Sequence, residues 1–184
     1  SGIGRGAQEG VLLKGGDSVH TFVKTNTVLF DKTGTLTVGK PQVTRIISYC
    51  ENEEEILSMT ASAEQASDHP LAKAILEHVK EKEIAFSQAE AVEVEKGLGL
   101  TAQIKNHCIS AGSKKLMENH HITLTERQIQ DNLSMQKQSA TTVFVAVDGS
   151  LRLLIAISDA LKPEVKKSIQ RLKQMGIHRV AMLT

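Results

Sequence analysis

The chain has 184 residues, 40% of them hydrophobic and 23% charged, which suits one globular domain or two small ones with a core of Val, Ile, Leu and Ala, since aromatics are scarce. A net charge of +1, from acidic and basic residues that alternate, offers no face for nucleic acid or for an acidic membrane surface. Cys50 and Cys108 stand far apart and outside any C-x-x-C spacing, which argues against a disulfide or a zinc site and for a reducing compartment; no apolar run is long enough to span a bilayer, and no signal peptide opens the chain.

In chain order, Ser1–Gly16 is rich in glycine. Its Gly2-x-Gly4-x-Gly6 spacing superficially suggests a phosphate loop, but no strand precedes it and no Gly-Lys-Ser/Thr follows. Thr27-Val28-Leu29-Phe30 reads as a buried parallel strand. Gly39-Lys40-Pro41 reads as a break, and Gln42 to Ser48 alternates as a strand. The acidic run Glu51 to Glu55 opens a helix to about Gln65, favourable to the helix dipole. A second helix starts at Pro70 and carries Leu71, Ile75 and Val79 at helical spacing to about Glu83.

Short strands follow at Ala91–Val94, Leu100–Ile104 and Cys108–Ala111. Ser113 is placed to cap a short helix to about Glu118, and Thr125 another over Glu126 to Lys137. Thr141–Val147 and Leu151–Ile157 form a hairpin across the turn Asp148-Gly149. A helix from about Pro163 to Met175 is stopped by Gly176, and a strand Arg179–Leu183 comes last. The order describes an insertion: a strand ending in Asp31, a separate α+β unit large enough to own a core, then strand and helix that resume near Ile155.

The chemistry centres on Asp31-Lys32-Thr33-Gly34-Thr35-Leu36-Thr37. A carboxylate at the carboxyl end of a parallel strand sits where open α/β sheets place their ligands. Gly34 permits a sharp turn that exposes backbone N–H groups to phosphate oxygens, and the Thr33 and Thr35 hydroxyls can add donors. The pattern suits attack by Asp31 on a phosphoryl group to give an aspartyl-phosphate. A lone Asp would be an ordinary turn residue; seven consecutive residues argue for the chemistry.

This run resembles the phosphorylation signature of the P-type ATPases, D-K-T-G-T-[LI]-T, and matches it at every position. It is also similar to the wider haloacid-dehalogenase superfamily, whose phosphatases usually carry a second aspartate two residues after the nucleophile. Thr33 stands there and cannot do acid–base work near neutral pH, so a persistent phosphoenzyme is implied. The resemblance implies an α/β architecture: a Rossmann-like, haloacid-dehalogenase-like phosphorylation domain, truncated, with an inserted α+β nucleotide-binding domain of antiparallel sheet flanked by helices. The implied divisions are 1–37 and 153–184 for the phosphorylation domain and 38–152 for the insert.

Further motifs resemble the heavy-metal-transporting subfamily. Gly10-Val11-Leu12-Leu13-Lys14-Gly15-Gly16 is similar to the segment leading into its phosphorylation domain, and Ser67-x-His69-Pro70-Leu71-Ala72 to its S-x-H-P-L-A motif with an upstream glutamate, Glu64. In isolation His-Pro is an ordinary helix start. By the resemblance, Glu64 hydrogen-bonds adenine and His69 orients or stacks near it. Gly97-x-Gly99 lets backbone approach the nucleotide, and Gly112-Ser113 stands where the family has Gly-Asn, which implies a weaker hydrogen bond and modest ATP affinity. Asp159-Ala160-Leu161-Lys162-Pro163 resembles the hinge of re-entry, where Asp159 and Lys162 help hold the phosphate site.

The implied reaction is transfer of the ATP γ-phosphoryl group to Asp31, with Lys32 and Thr33 in the same site and Mg2+ held by the Asp31 carboxylate and the Thr33 carbonyl. Family members continue past Leu-Thr with Gly-Asp and a later G-D-G-x-N-D-x-P segment, and carry membrane helices that bind the transported metal. The expectation is a fragment, the cytosolic portion of an integral membrane pump of the cell membrane, that binds ATP without turnover. Copper(I) and zinc-group cations are comparable as cargo, since the metal's ligands lie in those helices. A soluble haloacid-dehalogenase-type phosphatase and a non-catalytic nucleotide-binding module are the alternatives.

Overall fold

The computed structural model describes residues 24–183 together with residues 4, 7, 8, 10, 11 and 21. Most of the glycine-rich opening, including Gly2, Gly6 and the stretch from Leu12 to Gly16, lies outside the described residues. The chain divides into two compact units: residues up to Gly39 with those from Leu161, and Lys40–Ala160. The second division falls later than the expected 152, because the strand through Leu153 belongs to the sheet of the middle unit and runs on without interruption.

In the first unit, β1 (Thr27–Asp31) pairs in parallel with β8 (Arg179–Leu183), with Asp31 opposite Leu183. The helix α5 (Val165–Gln174) precedes β8, and none of its residues is buried. Parallel pairing requires a crossover connection, and here one between Asp31 and Arg179 contains the whole of the second unit.

The second unit is built on a six-stranded sheet in the order β2-β7-β6-β5-β4-β3. Its strands are β2 (Thr37–Ser48), β3 (Ala91–Glu95), β4 (Gly99–Ile104), β5 (His107–Gly112), β6 (Thr141–Val147) and β7 (Ser150–Leu161). The pairings from β3 to β7 are antiparallel. β2 runs through Gly39-Lys40-Pro41, where the sequence predicts a break. It is an edge strand, and an edge has one side on which a missing N–H costs no ladder bond.

Helices cover both faces of this sheet. On one face α1 (Glu53–Glu64) and α2 (Pro70–Glu81) bring Leu57, Ala61, Ile75 and Val79 against Val143, Val145, Leu153 and Ile155. On the other, α3 (Lys114–Asn119) and α4 (Glu126–Lys137) bring Leu116, Met117 and Met135 against Phe144, Leu154 and Ala156. Burial on both faces explains why Val143 to Val147 is apolar throughout instead of alternating. A register shift between Val145 and Ala146 adds a residue to β7, so that Leu151 and Leu154 share one face although three positions apart.

The two helices with an expected side-chain cap, α3 and α4, begin on it, whereas α5 starts at Val165, two residues after the expected Pro163. Thr125 and Gln128 form a reciprocal capping box at the start of α4, and Ser113 caps α3. Among the described residues no helix is long and apolar enough to cross a membrane.

Candidate functional site

Asp31 is the last residue of β1 and is exposed at its carboxyl end. The wide turn Lys32–Leu36 follows, with Thr33 extended (φ −77°, ψ 122°) and Gly34 at φ +77°, which glycine reaches without strain. Thr37, 1% exposed, ties this turn together. Its hydroxyl donates to the Lys32 carbonyl at 3.0 Å and accepts the Gly34 N–H at 3.1 Å. The Gly34 amide is therefore spent inside the loop, and the turn's phosphate donors would have to be other N–H groups. Lys162 adds two bonds, from Nζ to the Gly34 carbonyl at 2.9 Å and from its N–H to the Leu36 carbonyl at 2.9 Å. Among the described residues no three His, Cys, Asp or Glu converge as metal ligands. Asp31 and the Thr33 carbonyl are hard oxygen donors of the kind Mg2+ takes with substrate phosphates.

A separate constellation lies in the middle unit. A cavity of about 310 Å3 is lined by Glu64, His69, Gly97, Gly99, Gly112 and Ser113 among others. These six come from the end of α1, the start of α2, the β3–β4 turn and the end of β5, and the fold gathers them on one concavity. A larger cavity of about 460 Å3, near His107 and Val147, contains none of them.

Each wall has a local cause. Small buried residues, Ala61, Ser62 and Ala63, pack the last turn of α1 closely and carry Glu64 inward. Glu64 is 7% exposed, and desolvation pushes its carboxyl up to about 7. The connection to α2 is a chain of local bonds: Ser67 N–H to the Glu64 carbonyl (3.0 Å), His69 N–H to Ser67 Oγ (3.3 Å), and Leu71 N–H to His69 Nδ1 (3.2 Å). His69 thus caps α2 through Nδ1, which leaves the ring proton on Nε2. Ser67, which the motif contains without an assigned role, holds the His69 backbone.

Gly99 and Gly112 face one another across β4 and β5. A Cβ on Gly99 would stand 2.2 Å from the Ala111 carbonyl oxygen, and one on Gly112 would stand 2.3 Å from that of Leu98. Strand packing alone therefore demands glycine at both, independently of any ligand. Ser113 accepts the Leu116 N–H at 3.3 Å and donates its own N–H to the Leu98 carbonyl at 2.7 Å. Its hydroxyl is a helix cap that also borders the cavity. Among the lining residues that carried no sequence signal are Thr142, whose buried Oγ1 has no hydrogen-bond partner in the structure, and Glu95, at the end of β3. Both lie on strands whose pattern encodes pairing, and only the tertiary arrangement turns them to the cavity wall.

A strand-end aspartate is followed by a glycine turn locked by Thr37 and Lys162, and an antiparallel α+β unit is inserted in a Rossmann-like scaffold. The chain belongs to the haloacid dehalogenase-like hydrolases, whose family model matches residues 25–184.

Within that class its likeness is to metal-exporting P-type ATPases, as the motifs imply. It is 39% identical over 183 residues to a probable copper-exporting P-type ATPase of Archaeoglobus fulgidus, covering 100% of this chain and 22% of that protein. It is 35% identical over 184 residues to a zinc-exporting P-type ATPase of Mycobacterium marinum, covering 99% of this chain and 25% of that one. A solved zinc-transporting PIB-type ATPase in its E2.Pi state superposes with a TM-score of 0.83 at 30% identity, over 99% of this chain and 29% of that chain. The N-domain of HMA8, a copper-transporting P-type ATPase, matches 64% of this chain and 99% of its own length, with a TM-score of 0.55 and 25% identity. The chain thus spans about a quarter of the length of the curated relatives it matches.

Proposed function

We propose that this chain is the ATP-binding and phosphoryl-acceptor region of a heavy-metal-exporting P-type ATPase. One observation carries the reading: six residues named from separate stretches of sequence line a single cavity. Its volume lies at the lower end of the range of small-molecule sites. The lining suits a nucleotide, with the Glu64 carboxyl and the His69 ring for a base and glycine backbone for close approach. The unpartnered Thr142 Oγ1 is a further polar group in that wall.

In this reading the middle unit binds ATP, and Asp31 accepts the γ-phosphoryl group. The carboxylate oxygen of Asp31 forms the new P–O bond as the bond to ADP breaks, giving an aspartyl-phosphate and ADP. Thr33 stands where a phosphatase would place an acid–base carboxyl, so the acyl phosphate is not rapidly hydrolysed. Magnesium, held by the Asp31 carboxylate and the Thr33 carbonyl, would supply charge neutralisation. Lys32 begins the turn whose shape Thr37 and Lys162 maintain. In the parent, the phosphorylation cycle drives export of copper(I) or a zinc-group cation across the membrane by helices outside this chain. His69 and Glu64 bind nucleotide and take no part in the chemistry.

The test is a calorimetric titration of the chain with ATP, run beside His69→Ala. Saturable binding that the substitution weakens about tenfold is expected, from loss of an oriented aromatic contact and its ring N–H. A folded wild-type chain that binds no ATP would defeat the reading of this cavity.

A further inference from the structure

The cavity's wall is acidic. Among the described residues that line it, the titratable side chains are Glu64, His69 and Glu95, and there is no lysine or arginine. A nucleotide polyphosphate brought against two carboxylates meets like charge in a partly desolvated setting, where screening is weak. Burial keeps Glu64 protonated through part of the neutral range. The second carboxylate of the wall, Glu95, has a side chain 29% exposed.

Glu95 does have a partner. Its Oε1 is hydrogen-bonded to Nε2 of His120, which stands directly after α3 and does not line the cavity. Glu95 is the last residue of β3 and leads straight into the Lys96-Gly97-Leu98 turn. The far side of that turn is held by the Ser113 N–H on the Leu98 carbonyl. The two ends of α3 therefore grip the two sides of the glycine turn, one through backbone and the other through a carboxylate–imidazole bond.

Resting on the nucleotide reading above, we propose that His120 is a positioning residue that makes this cavity tolerant of phosphate by binding and offsetting the Glu95 carboxylate. A hydrogen bond from the ring to the carboxylate draws its charge toward α3 and fixes its direction. Without His120, Glu95 is an unpaired anion on the wall of a site for an anionic ligand, and the cost falls on the phosphates and not on the base.

The test compares adenosine with ATP in magnesium-free, low-salt buffer, by calorimetry on the full 184-residue chain. His120→Ala is expected to weaken ATP binding about tenfold while adenosine changes by less than about twofold, with the ATP loss shrinking as salt is added. Glu95→Gln in the same chain is expected to restore ATP binding. Equal losses for both ligands without that rescue would overturn the proposal and leave His120 a clasp on the turn. Unchanged ATP binding in His120→Ala would overturn it too. Should His120→Ala fold poorly, Glu95→Gln alone decides: ATP binding equal to or tighter than wild type supports the proposal, and weaker binding overturns it. A folded wild-type chain that binds adenosine and not ATP overturns this inference alone. One that binds neither removes the nucleotide reading on which it rests.

Discussion

Glu64 brings an ionisable group into a wall of small and apolar residues, and its burial is felt in stability as well as binding. Its carboxyl titrates near 4.5 in an ordinary setting and is pushed up to about 7 by desolvation in the fold. Below about pH 4.5 it is neutral folded and unfolded, and contributes no pH dependence. Between about 4.5 and 7 the folded chain holds a proton that the unfolded chain releases, so stability falls as pH rises. Above about 7 the desolvation penalty is fully present, on the order of 3 kcal/mol. Glu64→Gln is therefore expected to stabilise the chain by up to about 3 kcal/mol at about pH 8 and by little at about pH 4, measured by urea unfolding at both. An equal gain at the two pH values would show that ionisation is not the source. The same substitution is expected to weaken ATP binding by about tenfold or less, by removing a carboxylate acceptor.

Elements explain why some motif residues are what they are. Gly99 reads from the resemblance as a nucleotide-approach glycine and Gly112 as half of the Gly-Ser pair that stands for Gly-Asn, yet each occupies a place where a Cβ would strike backbone. Gly112→Ala is expected to cost about 1–3 kcal/mol by overpacking, seen as a lower urea midpoint with or without nucleotide. A substitution that leaves stability intact and abolishes ATP binding alone would restore the ligand explanation. The same scale shows the limits of local patterns. The helix starts at Pro70, Ser113 and Thr125 were legible because capping chemistry is local. The passage of β2 through Pro41 was not, because tolerance of proline depends on which strand lies at the edge. The continuation of β7 to Leu161 was hidden for a similar reason, since pairing with neighbours extends the strand past its apolar run.

For the whole molecule, the division at Gly39/Lys40 and Ala160/Leu161 has a thermodynamic consequence. The middle unit holds two apolar clusters, one on each face of its sheet, drawn from its own residues. A chain of residues 40–160 is expected to unfold cooperatively and to bind ATP within about threefold of the full chain, by calorimetry and thermal unfolding. A large loss of affinity in a folded unit would mean that residues outside it complete the nucleotide site.

The sequence by itself determined the strand that ends in Asp31, the caps at Ser113 and Thr125, the hairpin at Asp148-Gly149 and the family, because each rests on a few adjacent residues whose chemistry is local. It also named six cavity residues, through motifs that happen to be contiguous. Only the tertiary structure decided that those motifs share one cavity, that Thr37 and Lys162 lock the loop after Asp31, and that His120 reaches Glu95. These are contacts between residues distant in the chain or turned by strand register. Their geometry follows from how the sheet and its two helical layers close on one another, which local composition does not encode.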